Sequence, residues 1–318
     1  MIAKFHRVAA TVATATGLLL LAACGSTSSS SGDPLSAGSS GPSAAGAGAG
    51  AGSITVGSAD FSENVLLADM YAGALEAKGV KVNKKLNIGA REVYLPALKD
   101  GSIDLIPEYT GTLLSYFDKG SSAATSSDAV YSALKAALPQ GLSLLAMSPA
   151  QDKDTLAVTK KTAAKYKLSA IPDLASVAGQ LTIGAGPAYR TRHTGLAGLK
   201  SVYGLTFKEF KPLDNGGVLT IKSLADGTVD VANVFSTDSS FKTRGFVPLA
   251  DPKDLFLAEN IVPVINAQKV TPTVTSALNA LSARLTTENL TDLVSKVQID
   301  KEDPAKVASE FLKANGLE

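Results

Sequence analysis

The chain has one cysteine, Cys24, and two histidines, His6 and His193. A lone cysteine excludes a disulfide within the chain, and so few thiols and imidazoles leave no cluster with metal-ligand spacing, so neither metal nor cofactor is expected. Charge of one sign is also missing: 30 Lys and Arg stand against 29 Asp and Glu, a formal charge of +1 with no basic patch, which argues against a nucleic-acid partner. Beyond the amino terminus no stretch reaches 18 apolar residues, the length a spanning helix needs. There is no phosphate loop, because the glycines of residues 46–52 fall in a low-complexity tract. Ser132 and Lys135 have a Ser-x-x-Lys spacing without any partner motif, and Asp152-Lys153-Asp154 begins like a calcium loop but lacks its glycine and later glutamate. Catalysis is therefore not expected, and a hydrolase using cleft carboxylates is the weaker alternative.

What is present begins with an export layout. Lys4 and Arg7 precede a mostly apolar run over residues 8–21, so residues 1–23 read as a signal peptide. The run ends in Leu21-Ala22-Ala23-Cys24-Gly25, which resembles the lipobox of bacterial lipoproteins and implies a lipid on Cys24. Residues 24–53 are nearly all Ser, Gly, Ala and Pro, too poor in apolar side chains to offset ordering entropy. Such a coil spans roughly 30 Å and reads as a tether holding a globular body on the outer face of a membrane.

The globular part is built on a repeat. Residues 97–112, ALKDGSIDLIPEYTGT, return as residues 223–238, SLADGTVDVANVFSTD, sharing a leucine (Leu98, Leu224), an Asp-Gly turn (Asp100-Gly101, Asp226-Gly227) and an apolar-Asp-apolar strand start. Each copy then reaches an aromatic, Tyr109 or Phe235. Upstream, residues 54–57 (ITVG) resemble 181–184 (LTIG), and Ala72-Gly73 resembles Ala197-Gly198. A period of about 126 residues is domain-sized, so two lobes of similar build are expected. Alternating strand and helix signals in both copies predict α/β lobes with parallel sheets. Pro107 is read as the stop of the strand over 103–106, and three amphipathic helices are expected over 272–284, 287–297 and 303–315, with Thr287 and Asp303 near their starts. In open α/β sheets the loops at the carboxyl ends of strands form the ligand crevice. Residues 58–62, 89–92, 107–112, 185–194 and 234–238 are thus directed at one gap. The extended runs near Leu156 and Ile261 are the crossings between lobes.

ITVGSADFSEN, ALKDGSIDLIPEYTGT, GLKSVYGL, FKPLD and DVANVFSTD occur in an order that resembles the substrate-binding lipoproteins of glycine betaine, carnitine and choline ABC importers, over residues 54–315. The resemblance implies a two-lobed periplasmic-binding-protein fold (type II-like) with the ligand cleft between lobes: 54–154 plus 260–318 as lobe 1, and 155–259 as lobe 2. It also implies a monomeric receptor delivering an osmoprotectant-like solute to a membrane permease served by a separate ATPase, with a sensing role as the alternative. Family members hold a quaternary ammonium in a box of tyrosines and its carboxylate on a basic residue. By that match Tyr109, Thr112 and Phe235 contribute to the box, and Arg192, which has Arg190 and His193 as neighbours, meets the carboxylate. Asp154 and Glu259 stand where tyrosines are common, and Ala59-Asp60 replaces a Lys-Asn pair. A site of Asp60, Tyr109, Thr112, Asp154, Arg192, Phe235 and Glu259 fits a small cationic or zwitterionic solute, and two acids suit a cation that donates hydrogen bonds.

Overall fold

The structure is a computed structural model that describes residues 52–318. The expected signal peptide, Cys24 and all of the tether but its last two residues lie outside the described residues.

Two five-stranded sheets organise the rest. The first begins with β1 (Ile54–Gly57), α1 (Ser62–Glu76), β2 (Val82–Lys85), α2 (Arg91–Lys99) and β3 (Leu105–Tyr109). It continues through α3 (Thr110–Asp118), α4 (Ser127–Ala137) and β4 (Leu142–Leu144). The second comprises β5 (Asp154–Val158), α5 (Lys160–Tyr166), β6 (Thr182–Ala185), α6 (Leu196–Tyr203), β7 (Glu209–Pro212), α7 (Val218–Ala225), β8 (Val231–Phe235), α8 (Ser240–Thr243) and β9 (Val247–Pro248). The chain then returns to the first sheet as β10 (Ile261–Asn266), followed by α9 (Pro272–Ser282), α10 (Thr287–Gln298) and α11 (Pro304–Ala314). Strand order is β2-β1-β3-β10-β4 in one sheet and β7-β6-β8-β5-β9 in the other. The repeat thus builds matching sheets, and β10 runs antiparallel beside β3 as β5 does beside β8.

The repeated aspartates do the same work twice. Asp104 accepts from the Thr55 N–H at 2.8 Å while its own N–H donates to the Thr55 carbonyl. Asp230 does both to Thr182. The repeated Asp-Gly turns end in Gly101 and Gly227, both at φ +79°, a left-handed conformation that glycine adopts without Cβ strain.

Pro107 does not stop its strand; β3 runs on to Tyr109. Its carbonyl accepts from Asn64 Nδ2 at 3.0 Å, so the edge of Pro107 that lacks an N–H faces α1, beyond the end of β1. Opposite it in register stands Pro263 of β10, whose carbonyl faces Leu145. The two prolines form a pair that exchanges no hydrogen bonds, so the ladder loses none. The sequence reading also leaves α3 unassigned, because its first residues are taken as part of the crevice loop over 107–112. A Cβ on Gly111 would lie 2.7 Å from the Ala258 carbonyl, so glycine is what lets α3 start against the returning chain.

Helix α1 is buried on nearly every face, which its apolar sequence permits, because the sheet covers one side and α9, α10 and α11 the other. The last of these is capped by Asp303, and α10 starts at Thr287, as expected, with Thr286 capping it in a reciprocal box with Asn289. Among the described residues no helix is long and apolar enough to cross a membrane. The two crossings run side by side: Gln151 bridges Asn260, and the Asp152 N–H donates to the Glu259 carbonyl at 3.1 Å.

Candidate functional site

Residues from all five crevice loops line one cavity of about 60 Å³ between the sheets. One wall is aromatic. Tyr109 ends β3, Phe235 ends β8, and Phe61, the residue before α1, stands between them. Phe61 lies 6.0 Å from Tyr109 and 5.1 Å from Phe235, centroid to centroid, with tilts of 33° and 30°. A ring from one lobe is thereby packed on a ring from the other. Gly216 makes room for this, since a Cβ there would lie 2.9 Å from the Phe235 ring. Tyr94 and Tyr189 also line the cavity.

Behind the rings lies a carboxyl pair. Glu63 of α1 accepts from the Tyr109 hydroxyl at 2.8 Å and from the Thr237 hydroxyl at 2.7 Å, the second bond joining the two lobes. Asp152, on the first crossing, accepts from the Thr237 N–H at 3.0 Å. Burial raises both carboxyls above their ordinary values, and the charge of Glu63 raises Asp152 further. Two buried acids this close do not both ionise, so the pair holds a proton.

A second acid pair flanks the crossings. Asp154, at the start of β5, accepts from Asn233 Nδ2 at 2.9 Å and lies 3.4 Å from Thr112 Oγ1. Glu259 accepts from the Thr112 N–H at 3.0 Å, and its other oxygen is hydrogen-bonded to Thr112 Oγ1. Burial and then the charge of Asp154 push Glu259 up to about 8, while burial also raises Asp154. A protonated Glu259 donates to Thr112 Oγ1, which frees that hydroxyl to donate to Asp154, so one proton satisfies all three groups.

The arginines that line the cavity are both engaged. Arg91 is buried, and its Nε and Nη2 donate to Glu108 at 2.9 and 2.7 Å, while the Tyr94 hydroxyl donates to the same carboxylate at 2.8 Å. Arg192 makes the equivalent fork with Glu92 of the other lobe, at 2.9 and 2.7 Å. Burial alone would raise Glu92, but the Arg192 contact prevails and lowers it. Asn215 Nδ2 donates to Asp60 across the gap at 2.8 Å. With the Thr237–Glu63 bond, these contacts hold the lobes together around the cavity.

Of the seven ligand-binding residues expected from sequence, Asp60, Tyr109, Thr112, Asp154, Arg192 and Phe235 line the cavity. Glu259 does not. It lies fully buried behind Thr112, where its carboxyl group takes up an N–H in the first turn of α3 that the helix cannot satisfy itself. Among the three neighbouring basic residues, Arg192 faces the cavity; Arg190 stacks on Phe210 at 4.9 Å, and His193 packs beside Gly120. The sequence reading missed Phe61, Tyr189, Arg91, Asp152, Asn215 and Asn233. Phe61, Tyr189 and Arg91 sit in loops already directed at the gap, so their positions were the signal available.

A family model described as the substrate binding domain of ABC-type glycine betaine transport system matches residues 52–314. The glycine betaine-binding protein YehZ of Escherichia coli (strain K12) is 27% identical over 276 residues, covering 83% of this chain and 90% of that protein. The ergothioneine transport permease/ergothioneine binding protein EgtU of Helicobacter pylori (strain G27) is 26% identical over 269 residues, covering 83% of this chain and 48% of that longer protein. Among solved structures, a crystal structure of a glycine betaine/carnitine/choline ABC transporter matches with a TM-score of 0.64 at 23% identity, covering 83% of this chain and 99% of that one. Its likeness is one of fold, two α/β lobes.

Proposed function

The chain belongs to the family of substrate-binding domains of ABC-type glycine betaine transport systems, and from that membership we propose that it captures a small quaternary-amine or other cationic or zwitterionic solute outside the cytoplasm and delivers it to a membrane permease. The row Tyr109–Phe61–Phe235 carries this reading. A trimethylammonium group has no hydrogen to donate, so its favourable wall is a set of aromatic faces, each contributing about 0.5 to 2 kcal/mol. Asp60 and Asp154 line the same cavity and add negative potential. Capture follows from lobe closure: the Arg192–Glu92, Asn215–Asp60 and Thr237–Glu63 bonds form when the lobes meet and must part for a ligand to enter.

In the same reading a lipid on Cys24 and the tether over 24–53 hold a monomeric receptor beside its permease, a separate ATPase drives uptake, and the solute leaves unchanged. Lobe 1 takes residues 54–154 with 260–318, and lobe 2 takes 155–259. Isothermal titration with choline, glycine betaine, carnitine and primary amines tests the ligand class. At least one ammonium ligand binds, and Phe61→Ala and Phe235→Ala each weaken it by roughly twofold to thirtyfold. Ring removal without effect on the best ligand would refute the aromatic wall.

A further inference from the structure

The aromatic row is a partition. Phe61 and Phe235, which wall the ligand cavity on one side, line a second hollow of about 170 Å³ on the other, and Asp60 is common to both. The Glu63–Asp152 pair lies across this partition. Asp152 lines the ligand cavity, whereas Glu63 lines the second hollow with Thr237, Asp214 and Asp238.

Each carboxyl is held from a different part of the molecule. Glu63 belongs to α1 of the first lobe and takes its Thr237 hydrogen bond from the second, while its other oxygen holds the Tyr109 hydroxyl. Asp152 belongs to a crossing, and its Oδ1 accepts from the Thr237 N–H at 3.0 Å and the Ser236 hydroxyl at 3.3 Å. The two carboxyls are also bonded to each other. An ionised carboxylate only accepts, so that bond needs a proton on one of them. Among the described residues no Lys, Arg or His forms an ion pair with either group. The other ionisable groups around the pair are Tyr109, the aspartates 60, 214 and 238 about the second hollow, Arg244 beyond Asp238, Lys153 next to Asp152 in sequence, and Asp154 and Glu259 on the crossings. Acids outnumber bases there, and a proton is the charge that lets both carboxyls stay buried.

We propose that Glu63 and Asp152 form a proton site completed only in the closed molecule, so that closing on a solute takes up a proton from solution. The inference rests on the receptor reading given above and adds a second bound species to it. Opening parts the Thr237–Glu63 bond, carries Glu63 away with the first lobe and admits water, so each carboxyl returns toward its ordinary value and ionises at neutral pH. Closing expels that water, and a proton relieves the repulsion between the two anions. A proton held more tightly in the closed form than in the open one makes the solute bind more tightly as pH falls. The second hollow gives that proton a way in on the far side of the rings from the ligand.

The test is a pH-stat titration of the full chain with the tightest binder among choline, glycine betaine, carnitine and ethanolamine, in which the acid added to hold pH 6.5 counts the protons taken up. The parent takes up more than Glu63→Gln or Asp152→Asn, by up to about one proton per chain, because an amide joins the remaining carboxylate without one. Calorimetric affinity at pH 5.5, 6.5 and 7.5 weakens in the parent, relative to each variant, by up to about tenfold per pH unit. Asp154 and Glu259 titrate in all three proteins and drop out of these differences. Equal proton counts and parallel affinity profiles in the three proteins overturn the proton site, while binding of the probe leaves the receptor reading standing. Should neither variant fold, the parent decides: uptake with affinity falling as pH rises supports the site, and binding without uptake overturns it. If none of the four compounds binds, both readings fail.

Discussion

Glu259 gives the sharpest test of the electrostatics at the lobe crossing. In the unfolded chain its carboxyl has the ordinary value of 4.5, and in the folded protein burial and the charge of Asp154 push it up to about 8. Between those values the folded state binds one more proton than the unfolded state, so stability falls as pH rises. The contribution is intact below pH 4.5, is lost progressively up to about pH 8, and changes no further above it. At about 1.4 kcal/mol per pH unit, the loss between pH 5 and pH 8 is on the order of 4 kcal/mol for this group alone. Glu259→Gln keeps a carbonyl to accept from the Thr112 N–H but cannot ionise. Urea denaturation of both proteins at pH 5, 6.5 and 8 checks the reasoning. The variant gains stability relative to the parent at each step upward. Glu63, Asp152 and Asp154, also raised, slope the same way in both proteins and largely cancel in the difference. Parallel profiles would show that Glu259 is ionised in the folded protein at neutral pH, and the proton shared through Thr112 would be wrong.

Two further outcomes follow from the arginine forks. Arg91→Ala leaves the fully buried Glu108 without its cation and destabilises the protein by about 3 to 5 kcal/mol in chemical denaturation, and adding Glu108→Ala costs less than the sum of the single changes. The Arg192–Glu92 fork is partly exposed, so a double-mutant cycle on ligand affinity gives a coupling of about 1 kcal/mol or less that weakens with salt; coupling as large as that expected for the buried fork would contradict the exposure described here.

Much of this architecture was legible because the repeat doubles each signal. An Asp-Gly turn followed by apolar-Asp-apolar is weak alone, but two copies in register predicted matching lobes and directed five loops at one gap. The failures were local and physical. Pro107 was read by its missing N–H, although only the direction of that edge matters, and direction depends on where β1 ends. Glu259 was assigned by position to the ligand wall, yet the start of α3 required its carboxyl group, and the first residues of α3 were read as part of a crevice loop. Phe61 went unselected because nothing in its own neighbourhood states that rings from two distant segments converge on it. Pairings over such separations are products of the fold, whereas periodicity and turn chemistry are local.

Strand β10 lies between β3 and β4, yet it is the last strand the ribosome releases. Everything needed for the β5–β9 sheet has been synthesised by Pro248, before residue 261 exists. During translation the sheet begun first must wait, split down its middle, while its later counterpart can already assemble. A nascent chain halted before Ile261 would therefore carry one finished sheet and one with a gap, an order of maturation opposite to the order of the sequence.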